Sequence, residues 1–232
     1  MMRRSDEVES NVAANRDRWD EDHTWAKDGD EWSGQAKLCG VPYEDWKASL
    51  VAHLIKPYVS SVSEIIEVAP GHGRWSEYLI SVGSFVTLVD IAPGCLKHCM
   101  GRFGTAANVD YFLTDGTRLP HHATGRIDFI WSYDSFVHMT AGVIGAYMSE
   151  FARVLRPGAK AIIHHANVPN LAAHSQQQAE GWRSAVDNSM IRSFALNAGL
   201  TVAAQFSFWD EDRKIGVPRF GDSISILSAP PH

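Results

Sequence analysis

Short apolar runs alternate with helical patterns along most of this 232-residue chain, and this alternation restricts its fold more than any other feature. Seven runs have the length and the Val, Ile and Phe content of strands, at 64–69, 84–90, 108–114, 127–133, 159–166, 200–208 and 222–229. Strands that alternate with helices form a mostly parallel sheet that is covered on both faces. The sequence therefore predicts an α/β fold with a doubly wound, mostly parallel seven-stranded sheet.

The first 41 residues differ from the rest because they are polar and charged yet carry Trp19, Trp25 and Trp32. Disordered tails contain few aromatic residues. We therefore expect the first dozen residues to be loose and the following ones to pack over the main domain. This divides the chain into an N-terminal helical lid at 1–41 and a main domain at 42–232.

The totals exclude several functions. A formal net charge of -6 offers no basic surface for phosphates, so we expect no nucleic-acid partner. No run of about 18 apolar residues exists for a membrane span, and the N-terminus lacks the apolar stretch of a secretory signal. Cys39, Cys95 and Cys99 show no paired spacing, which indicates reduced thiols. We expect a cytoplasmic protein without a membrane partner, and a homodimer is left open.

The stretch EVAPGHGRW at 67–75 joins the first predicted strand to a helix. Glycines in such a turn let the backbone approach a ligand, and the helix N-terminus offers free N–H groups. A nicotinamide dinucleotide requires Gly-x-Gly-x-x-Gly, but Ser76 stands where the third glycine belongs after Gly71 and Gly73. Glu67 would also repel a pyrophosphate. The turn favours a cationic nucleoside ligand that lacks phosphate.

Two more acidic residues follow the next two predicted strands, Asp90 after 84–90 and Asp115 after 108–114. A carboxylate after the second strand can accept both hydroxyls of a ribose. A plainer interpretation makes Glu67 a polar strand end and Asp90 a helix N-cap. Because three acids fall at three successive strand ends, we interpret them as one ligand site.

Together these residues resemble the motifs of the class I S-adenosylmethionine-dependent methyltransferases, which have a Rossmann-like fold. The family's first motif reads acid-x-Gly-x-Gly-x-Gly, and Ala69 replaces its first glycine. The resemblance covers 45–210 and includes the turn VLRPGAKAII at 154–163, so the main domain at 42–232 would be the methyltransferase domain. It implies S-adenosylmethionine as cofactor, with the adenine amino group on Asp115 and a ring nitrogen on the Gly116 N–H. The implied cofactor-binding residues are Glu67, Ala69, Gly71, Gly73, Asp90, Ile91, Asp115, Gly116, Ser132, Trp32 and Gln35.

The segment SYDSFVHMT at 132–140 follows the fourth predicted strand. It is similar to the corresponding segment of bacterial sugar O-methyltransferases, which implies His138 as the general base. Histidine suits this role because its pKa lies near neutrality. Asp134 would orient that imidazole or hold a Mg²⁺ ion that acidifies the hydroxyl. A plainer interpretation gives His138 a helix-capping or surface role.

His164 and His165 end the fifth predicted strand. Successive side chains of a strand point to opposite faces, so at most one of the two faces the cleft. We name His165 as the candidate for a second base or a metal ligand. A hydrogen-bonded structural histidine is the competing interpretation.

Two segments bear on the acceptor. The segment 28–36 resembles one in bacterial methyltransferases that modify sugars and polysaccharides, so Trp32 and Gln35 would cover the cofactor or stack on a sugar ring. Equally, the tryptophans could fix this segment to the core. The segment 167–189 is polar and rich in amides, which suits a polyol better than a lipid. One group within the resemblance is the mycobacterial enzymes that methylate mannose polysaccharides.

We therefore expect an S-adenosylmethionine-dependent O-methyltransferase whose partner is a small-molecule or oligosaccharide substrate with a sugar hydroxyl. A methyltransferase for a small amine, carboxylate or phenol would share every cofactor residue. Two further interpretations stay open at this point, a binding protein that kept the fold without turnover and a nicotinamide dehydrogenase.

Overall fold

The computed structural model describes residues 4–26, 29–30, 34–104, 106–168 and 183–231. Its main sheet has seven strands, in the order β3-β2-β1-β4-β5-β9-β6. Their bounds are β1 Glu64–Val68, β2 Phe85–Asp90, β3 Val109–Leu113, β4 Ile127–Ser132, β5 Leu155–His165, β6 Thr201–Phe206 and β9 Ser223–Ser228. β9 pairs antiparallel with both β5 and β6, and the pairs among β1 to β5 are parallel. The predicted doubly wound, mostly parallel sheet is confirmed.

Helices cover both faces of the sheet. They are α1 Arg4–Asp17, α2 Gly34–Cys39, α3 Tyr43–Leu50, α4 Ser76–Val82, α5 Pro93–Phe103, α6 Ala141–Val154 and α7 Asn188–Asn197. One apolar cluster joins one sheet face to α6 and α7, and Val8 and Val12 of α1 pack on its edge. The other cluster joins the opposite face to α3, α4 and α5, with Trp46, Leu79 and Leu96 buried. The amphipathic helices thus bury their apolar sides against a sheet that is apolar on both faces.

The strand order reverses beside β1, because β2 and β3 lie on one side of it and β4 and β5 on the other. Ligands of open α/β sheets bind outside the carboxyl ends of the strands at this switch point. The turn that follows β1, the end of β2 and the segment after β4 meet there. The topology therefore brings the predicted site segments to one place.

The structure corrects the expectation for the N-terminus. The first dozen residues are not loose throughout, because helix α1 begins at Arg4, and its Val8 and Val12 give it an apolar side that packs against the core. Near the C-terminus, a short antiparallel pair lies between β6 and β9, formed by β7 Phe208–Asp210 and β8 Ile215–Gly216. Buried Trp46 fixes this pair by donating its indole N–H to the Gly216 carbonyl at 2.9 Å.

Within the described residues, no helix combines the length and the apolar character that crossing a bilayer requires. Cys39, Cys95 and Cys99 all carry free thiols.

Candidate active site

A cleft of about 910 Å³, measured to its open mouth, lies at the carboxyl ends of β1, β2 and β4. The strand-end residues on its wall include Ala69, Gly71, Asp90, Ile91 and Asp134. The N-terminal segment forms a second wall with Asn11, Asn15, Trp19 and Trp25.

The turn after β1 is shaped by left-handed backbone at Ala69 and Gly71, both with φ of 56°. A side chain at such a φ is uncommon, which explains why the resembled family places glycine at the Ala69 position. Ala69 and Gly71 line the cleft. Gly73 does not, because it packs against α5, where an added Cβ would lie 2.8 Å from the Phe103 ring. Gly73 thus permits close helix packing and does not line the ligand cleft.

Asp90 is the acidic residue that the end of β2 contributes to the cleft wall. Its side chain is buried, and its carboxylate accepts the backbone N–H groups of Ala92 at 2.9 Å and Gly71 at 3.3 Å. Burial raises the pKa of Asp90 to about 6, although these N–H groups lower it. The carboxylate therefore ties the turn after β1 to the end of β2 and stands beside neighbouring Ile91 in the cleft.

Glu67 does not fit the expectation that it faces the ligand. It is buried beneath the turn, outside the cleft wall, and accepts the Ser76 hydroxyl at 2.5 Å. Burial raises the pKa of Glu67 to about 8, with the Asp90 charge adding to the effect and the Ser76 hydrogen bond opposing it. Near neutral pH the group is therefore mostly uncharged, and it fastens the turn to α4 from below.

Asp115 and Gly116 depart from their implied roles. The Asp115 carboxylate is exposed, and it accepts the Thr117 N–H at 2.9 Å and the Thr117 hydroxyl at 2.8 Å. Gly116 lines the cleft, but its N–H donates to the Thr114 hydroxyl at 3.1 Å. Local turn hydrogen bonds use both groups. The roles of Asp115 and Gly116 towards an adenine stay predictions.

Ser132 and Gln35 also serve the fold here. Ser132 is fully buried, and its hydroxyl donates to the Val68 carbonyl at 2.8 Å, which links β4 to β1. The Gln35 side chain is buried and accepts the Arg219 N–H at 3.0 Å, away from the cleft wall. Trp32 lies outside the described residues.

Residues 4–26 are part of the predicted N-terminal lid at 1–41, and from here on we call them the lid. They pack closely against the main domain at three glycines. An added Cβ would lie 2.6 Å from Trp25 at Gly71, and 2.7 Å from a valine of α1 at both Gly116 and Gly142. Trp25 also stacks on His72, with ring centroids 4.5 Å apart. Any side chain larger than hydrogen at these positions would hold the lid away, so the close approach depends on glycine there. The N-terminal helical segment thus lies over the cleft.

The lid also contacts the segment that carries His138. Asn11 and Asn15 both donate side-chain N–H groups to the His138 carbonyl, at 3.2 and 3.4 Å, and Asn11 accepts the Thr140 N–H at 3.1 Å. The Trp19 ring lies 5.2 Å from the His138 imidazole. The imidazole is 8% exposed and follows the cleft residue Ser135 on a short 3₁₀ turn. The lid therefore holds the candidate base segment in place.

Asp134 sits on the cleft wall in a left-handed conformation, φ 67°. Its carboxylate lies 3.5 Å from the Arg74 guanidinium and 3.5 Å from Nδ1 of His164. Burial alone would raise the pKa of Asp134, but the charges of His164, Arg74 and Arg183 outweigh it and lower the pKa. Asp134 is therefore held as a carboxylate in the cleft.

A chain of buried groups continues behind Asp134. The Asp134 backbone N–H donates to His164 Nδ1 at 3.3 Å, and His164 Nε2 lies 3.3 Å from the Asp222 carboxylate. Arg183 donates to Asp222 from both Nε and Nη2, the latter at 2.9 Å. His164 and Asp222 have fully buried side chains. This chain supports Asp134 from the side opposite the cleft.

The histidine pair is the reverse of the expectation. His164 points towards Asp134, whereas His165 points into the core beside β9. Both ring nitrogens of His165 are engaged, Nε2 with the Ser225 hydroxyl at 2.6 Å and Nδ1 with the Ala166 carbonyl at 2.8 Å. Burial lowers the pKa of His165 to about 4. In this arrangement His165 therefore links β5 to β9, and His164 is the member of the pair that lies next to Asp134.

The hypothesis that Asp134 holds a metal ion requires further ligands beside it. Over the described ranges, no group of three or more His, Cys, Asp or Glu side chains is arranged to hold a metal ion. Asp134 instead faces the Arg74 guanidinium, whose positive charge opposes a second cation.

Sequence reasoning missed several cleft residues that the structure brings together. Arg74, Trp75 and Tyr133 line the same cleft as Asp90. Arg74 and Trp75 belong to the quoted turn EVAPGHGRW, so their place just after the second glycine was the available signal. The lid residues Asn11 and Asn15 gave none, because asparagines four residues apart fit any exposed helix.

Comparison with known proteins identifies the class of fold. The geranyl diphosphate C-methyltransferase of Streptomyces coelicolor, solved with Mg²⁺, geranyl diphosphate and S-adenosyl-L-homocysteine, superposes with a TM-score of 0.67 at 12% identity, over 94% of this chain and 97% of that one. The magnesium protoporphyrin IX methyltransferase of Synechocystis, solved with bound S-adenosylhomocysteine, gives 0.65 at 13% identity, over 94% and 99%. The fold is that of the class I S-adenosylmethionine-dependent methyltransferases.

The sequence comparisons narrow this further. Residues 65–158 match the family model described as a methyltransferase domain. The chain is 33% identical over 174 residues to the biotin biosynthesis bifunctional protein BioHC of Cellvibrio japonicus, a match that covers 72% of this chain and 33% of that protein. The chain thus spans about a third of the length of this relative. It carries a methyltransferase domain. The glycine turn and Asp90 of the cleft both lie within the matched residues.

Asp90 generates the first prediction. Because a ribose needs Asp90 as a carboxylate, we expect the dissociation constant of S-adenosylhomocysteine to rise about tenfold for each pH unit below 6. Asp90→Ala should abolish measurable binding at pH 7. Isothermal titration from pH 5 to 8 measures both effects, and Asp90→Asn, which cannot ionise, serves as the control without a pH slope. Unchanged affinity in Asp90→Ala would contradict the ribose assignment.

Glu67 generates a prediction about stability. Its pKa is raised to about 8 in the folded protein from an ordinary 4.5, so its protonation stabilises the folded state fully below pH 4.5, and that stabilisation is lost as the pH rises to 8. We expect the free energy of unfolding of the ligand-free protein to fall by about 4 kcal/mol more than that of Glu67→Gln between pH 4.5 and pH 8. Urea unfolding at pH 5, 6, 7 and 8 compares the two. Parallel curves would show that Glu67 ionises normally.

Trp25 generates a prediction about the lid. Its indole covers Gly71 in the cleft, so Trp25→Ala removes apolar surface worth about 2 kcal/mol, or roughly tenfold or more in cofactor affinity. We expect faster release of S-adenosylhomocysteine in stopped-flow measurements, and an intermediate effect in Trp25→Phe. Tighter binding by Trp25→Ala would instead show that the indole competes with the cofactor.

Proposed function

We propose that this protein transfers the methyl group of S-adenosylmethionine to a hydroxyl of a sugar or oligosaccharide, with His138 as the general base. One observation carries the proposal: the Asp90 carboxylate, the glycine turn and the Asp134 carboxylate line a single cleft, with His138 on its flank. A cofactor part and an acceptor part thus share one cavity.

The cofactor part suits an adenosyl group without phosphate. Asp90 would accept the ribose hydroxyls, since its carboxylate already reaches the cleft beside Ile91, and Gly71 gives the ligand close access to the turn. Bound there, S-adenosylmethionine supplies a methyl group on a positively charged sulfur. Trp19 and Trp25 of the lid exclude water from above.

The acceptor part suits an alcohol because alcohols must lose a proton as the new bond forms. Alignment of the hydroxyl supplies most of the rate, and a base near neutrality takes the proton. His138 follows β4 between the cleft residues Ser135 and Met139, and the Asp134 charge acts on it across the same segment. A nearby carboxylate favours the imidazolium that results from proton transfer.

A second candidate, a methyltransferase for another small metabolite, is favoured by the aromatic character of the cleft. Trp19, Trp25, Trp75 and Tyr133 all line it, and such rings also fit flat acceptors. Similar folds carry different chemistry, as in the Galdieria sulphuraria protein described as a putative sarcosine dimethylglycine methyltransferase. An acceptor panel of sugars, oligosaccharides, phenols, amines and carboxylates, with detection of products heavier by one methylene, separates the two.

A requirement for Mg²⁺ in the methyl transfer is a further hypothesis, and activity measurements can test it. A metal-assisted transfer would be lost on treatment with a chelator and restored by added Mg²⁺. Activity that survives complete chelation would remove the metal from the proposal.

His138 generates the prediction for turnover. We expect His138→Ala to keep its affinity for S-adenosylhomocysteine and to lower kcat by about 100-fold or more, because the base is lost. The exposed His122→Ala, on a turn away from the cleft, is the matched control and should turn over normally. Normal kcat in His138→Ala, with an acceptor that wild type methylates, would assign the proton to another group.

A further inference from the structure

The cleft contains buried donors that no protein group satisfies. Arg74 Nη1, the Trp75 indole N–H and the Tyr133 hydroxyl are buried without a hydrogen-bond partner in the described part of the chain. All three residues line the cleft, and the Arg74 guanidinium lies 5.7 Å from the Trp75 ring and 6.0 Å from that of Tyr133. Leaving a buried donor unpaired costs about 1–3 kcal/mol, so these groups together favour a ligand that supplies oxygen acceptors.

Asp134 supplies the complementary group. Its carboxylate accepts hydrogen bonds only, and it lies 3.5 Å from Arg74 Nη2 on the same wall. His164 Nδ1 accepts the backbone N–H of Asp134, which has a left-handed φ, and His164 Nε2 lies 3.3 Å from the Asp222 carboxylate. A fixed acceptor therefore stands next to an unsatisfied donor.

The charges around this pair cancel. Arg74 faces Asp134, while the neighbouring Asp30 carboxylate is bonded to Lys47 at 2.8 Å and to the Tyr43 hydroxyl at 2.6 Å. Behind Asp134, Arg183 neutralises Asp222. Among these described groups no net charge is left for an ionic acceptor, so hydrogen bonding is the interaction on offer.

We propose that Arg74 and Asp134 form a subsite for two adjacent hydroxyl groups of an uncharged, polyhydroxylated ring. This rests on the proposed function and specifies how its acceptor is held. One hydroxyl donates to the Asp134 carboxylate while its neighbour accepts from Arg74 Nη1, and the Trp75 and Tyr133 rings wall the site. The Arg74 guanidinium and the Asp134 carboxylate are neighbours, 3.5 Å apart. Two hydroxyls on adjacent ring carbons are also close together, so one can reach each group.

The buried chain behind the pair has a consistent explanation. Burying Asp222 and Arg183 costs desolvation that their mutual attraction hardly exceeds, so stability gives a weak reason for it. By keeping His164 oriented towards Asp134, the chain fixes the direction of the carboxylate. His164, Asp222 and Arg183 are positioning residues in this proposal, and Asp134 and Arg74 are the groups that touch the acceptor.

The test has two measurements. Acceptor binding is measured with saturating S-adenosylhomocysteine, and turnover is measured with saturating S-adenosylmethionine. The probes are methyl hexopyranosides, their monodeoxy analogues that lack one hydroxyl of a pair, and the corresponding hexuronic acids. Wild type, Arg74→Gln and Asp134→Asn are compared by calorimetry with S-adenosylhomocysteine present and by initial rates. The control is Arg126→Gln, which removes an exposed guanidinium paired with Glu64.

We expect Arg74→Gln to raise the Kd and the KM of the full sugar about tenfold or more, with little effect on the deoxy analogue that already lacks the partner hydroxyl. The Kd of S-adenosylhomocysteine should stay within about twofold. Arg126→Gln should match wild type. If Arg74→Gln fails to fold, as judged by circular dichroism, Arg74→Lys keeps the charge but lacks Nη1 and is held to the same criteria.

Four results would overturn the subsite. Equal loss of S-adenosylhomocysteine affinity in Arg74→Gln would assign Arg74 to the cofactor, and tighter binding of a hexuronic acid through Arg74 would make it an anion site. An equal effect on the full sugar and its deoxy analogue would remove the hydroxyl pair. Wild type that binds no probe would also overturn it. Sugar turnover that is insensitive to Arg74→Gln leaves the proposed function standing, whereas methylation of phenols or amines alone removes that function.

Discussion

The buried carboxylate of Asp90 is the interaction around which the cleft is arranged. Two backbone N–H groups, from Gly71 and Ala92, point at it from the turns after β1 and β2. Burying a carboxylate costs free energy unless hydrogen bonds compensate, and these two bonds compensate only in part, since the pKa of Asp90 stays raised, at about 6. The residual cost is what a ribose can relieve by donating two more hydrogen bonds. The fold thus keeps an under-satisfied acceptor at the switch point of the sheet, where ligands of such sheets bind.

The lid depends on the same turns. Trp25 reaches Gly71, and two valines of α1 reach Gly116 and Gly142, because those positions have no side chains in the way. Glycine at such sites is usually explained by the ligand's need for close approach. Here it also lets the protein cover part of its own cleft. The Asn11 and Asn15 contacts with the His138 carbonyl connect the same covering segment to the candidate base.

The sequence predicts the sheet, its helices and the cleft position well, because alternating apolar runs leave few topologies and the glycine turn marks the switch point. It predicts the roles of individual acids poorly. Glu67, Asp90 and Asp115 look alike as strand-end carboxylates, yet one is buried and mostly uncharged, one lines the cleft and one bonds to its own turn. Hydrogen bonds with Ser76 and Thr117 decide this, and they depend on side-chain direction that spacing does not encode. The sequence does not show which of His164 and His165 lies next to Asp134, because alternation states that they face opposite ways but not which way.

Charge along the cleft runs in a definite order. Glu67 is mostly uncharged below the turn, Asp90 is a marginal carboxylate at the cofactor end, and Asp134 is a firm carboxylate beside Arg74 at the other end. A positively charged sulfur at the end of the cleft that holds Asp90 would be attracted by this carboxylate, and it would lose that attraction once its methyl group had left. Such an arrangement alone holds the charged reactant more tightly than the neutral product, so it favours product release more than it accelerates transfer. The acceleration must then come from alignment of the acceptor hydroxyl, and a rigid wall of Arg74, Tyr133 and a supported Asp134 is suited to that task.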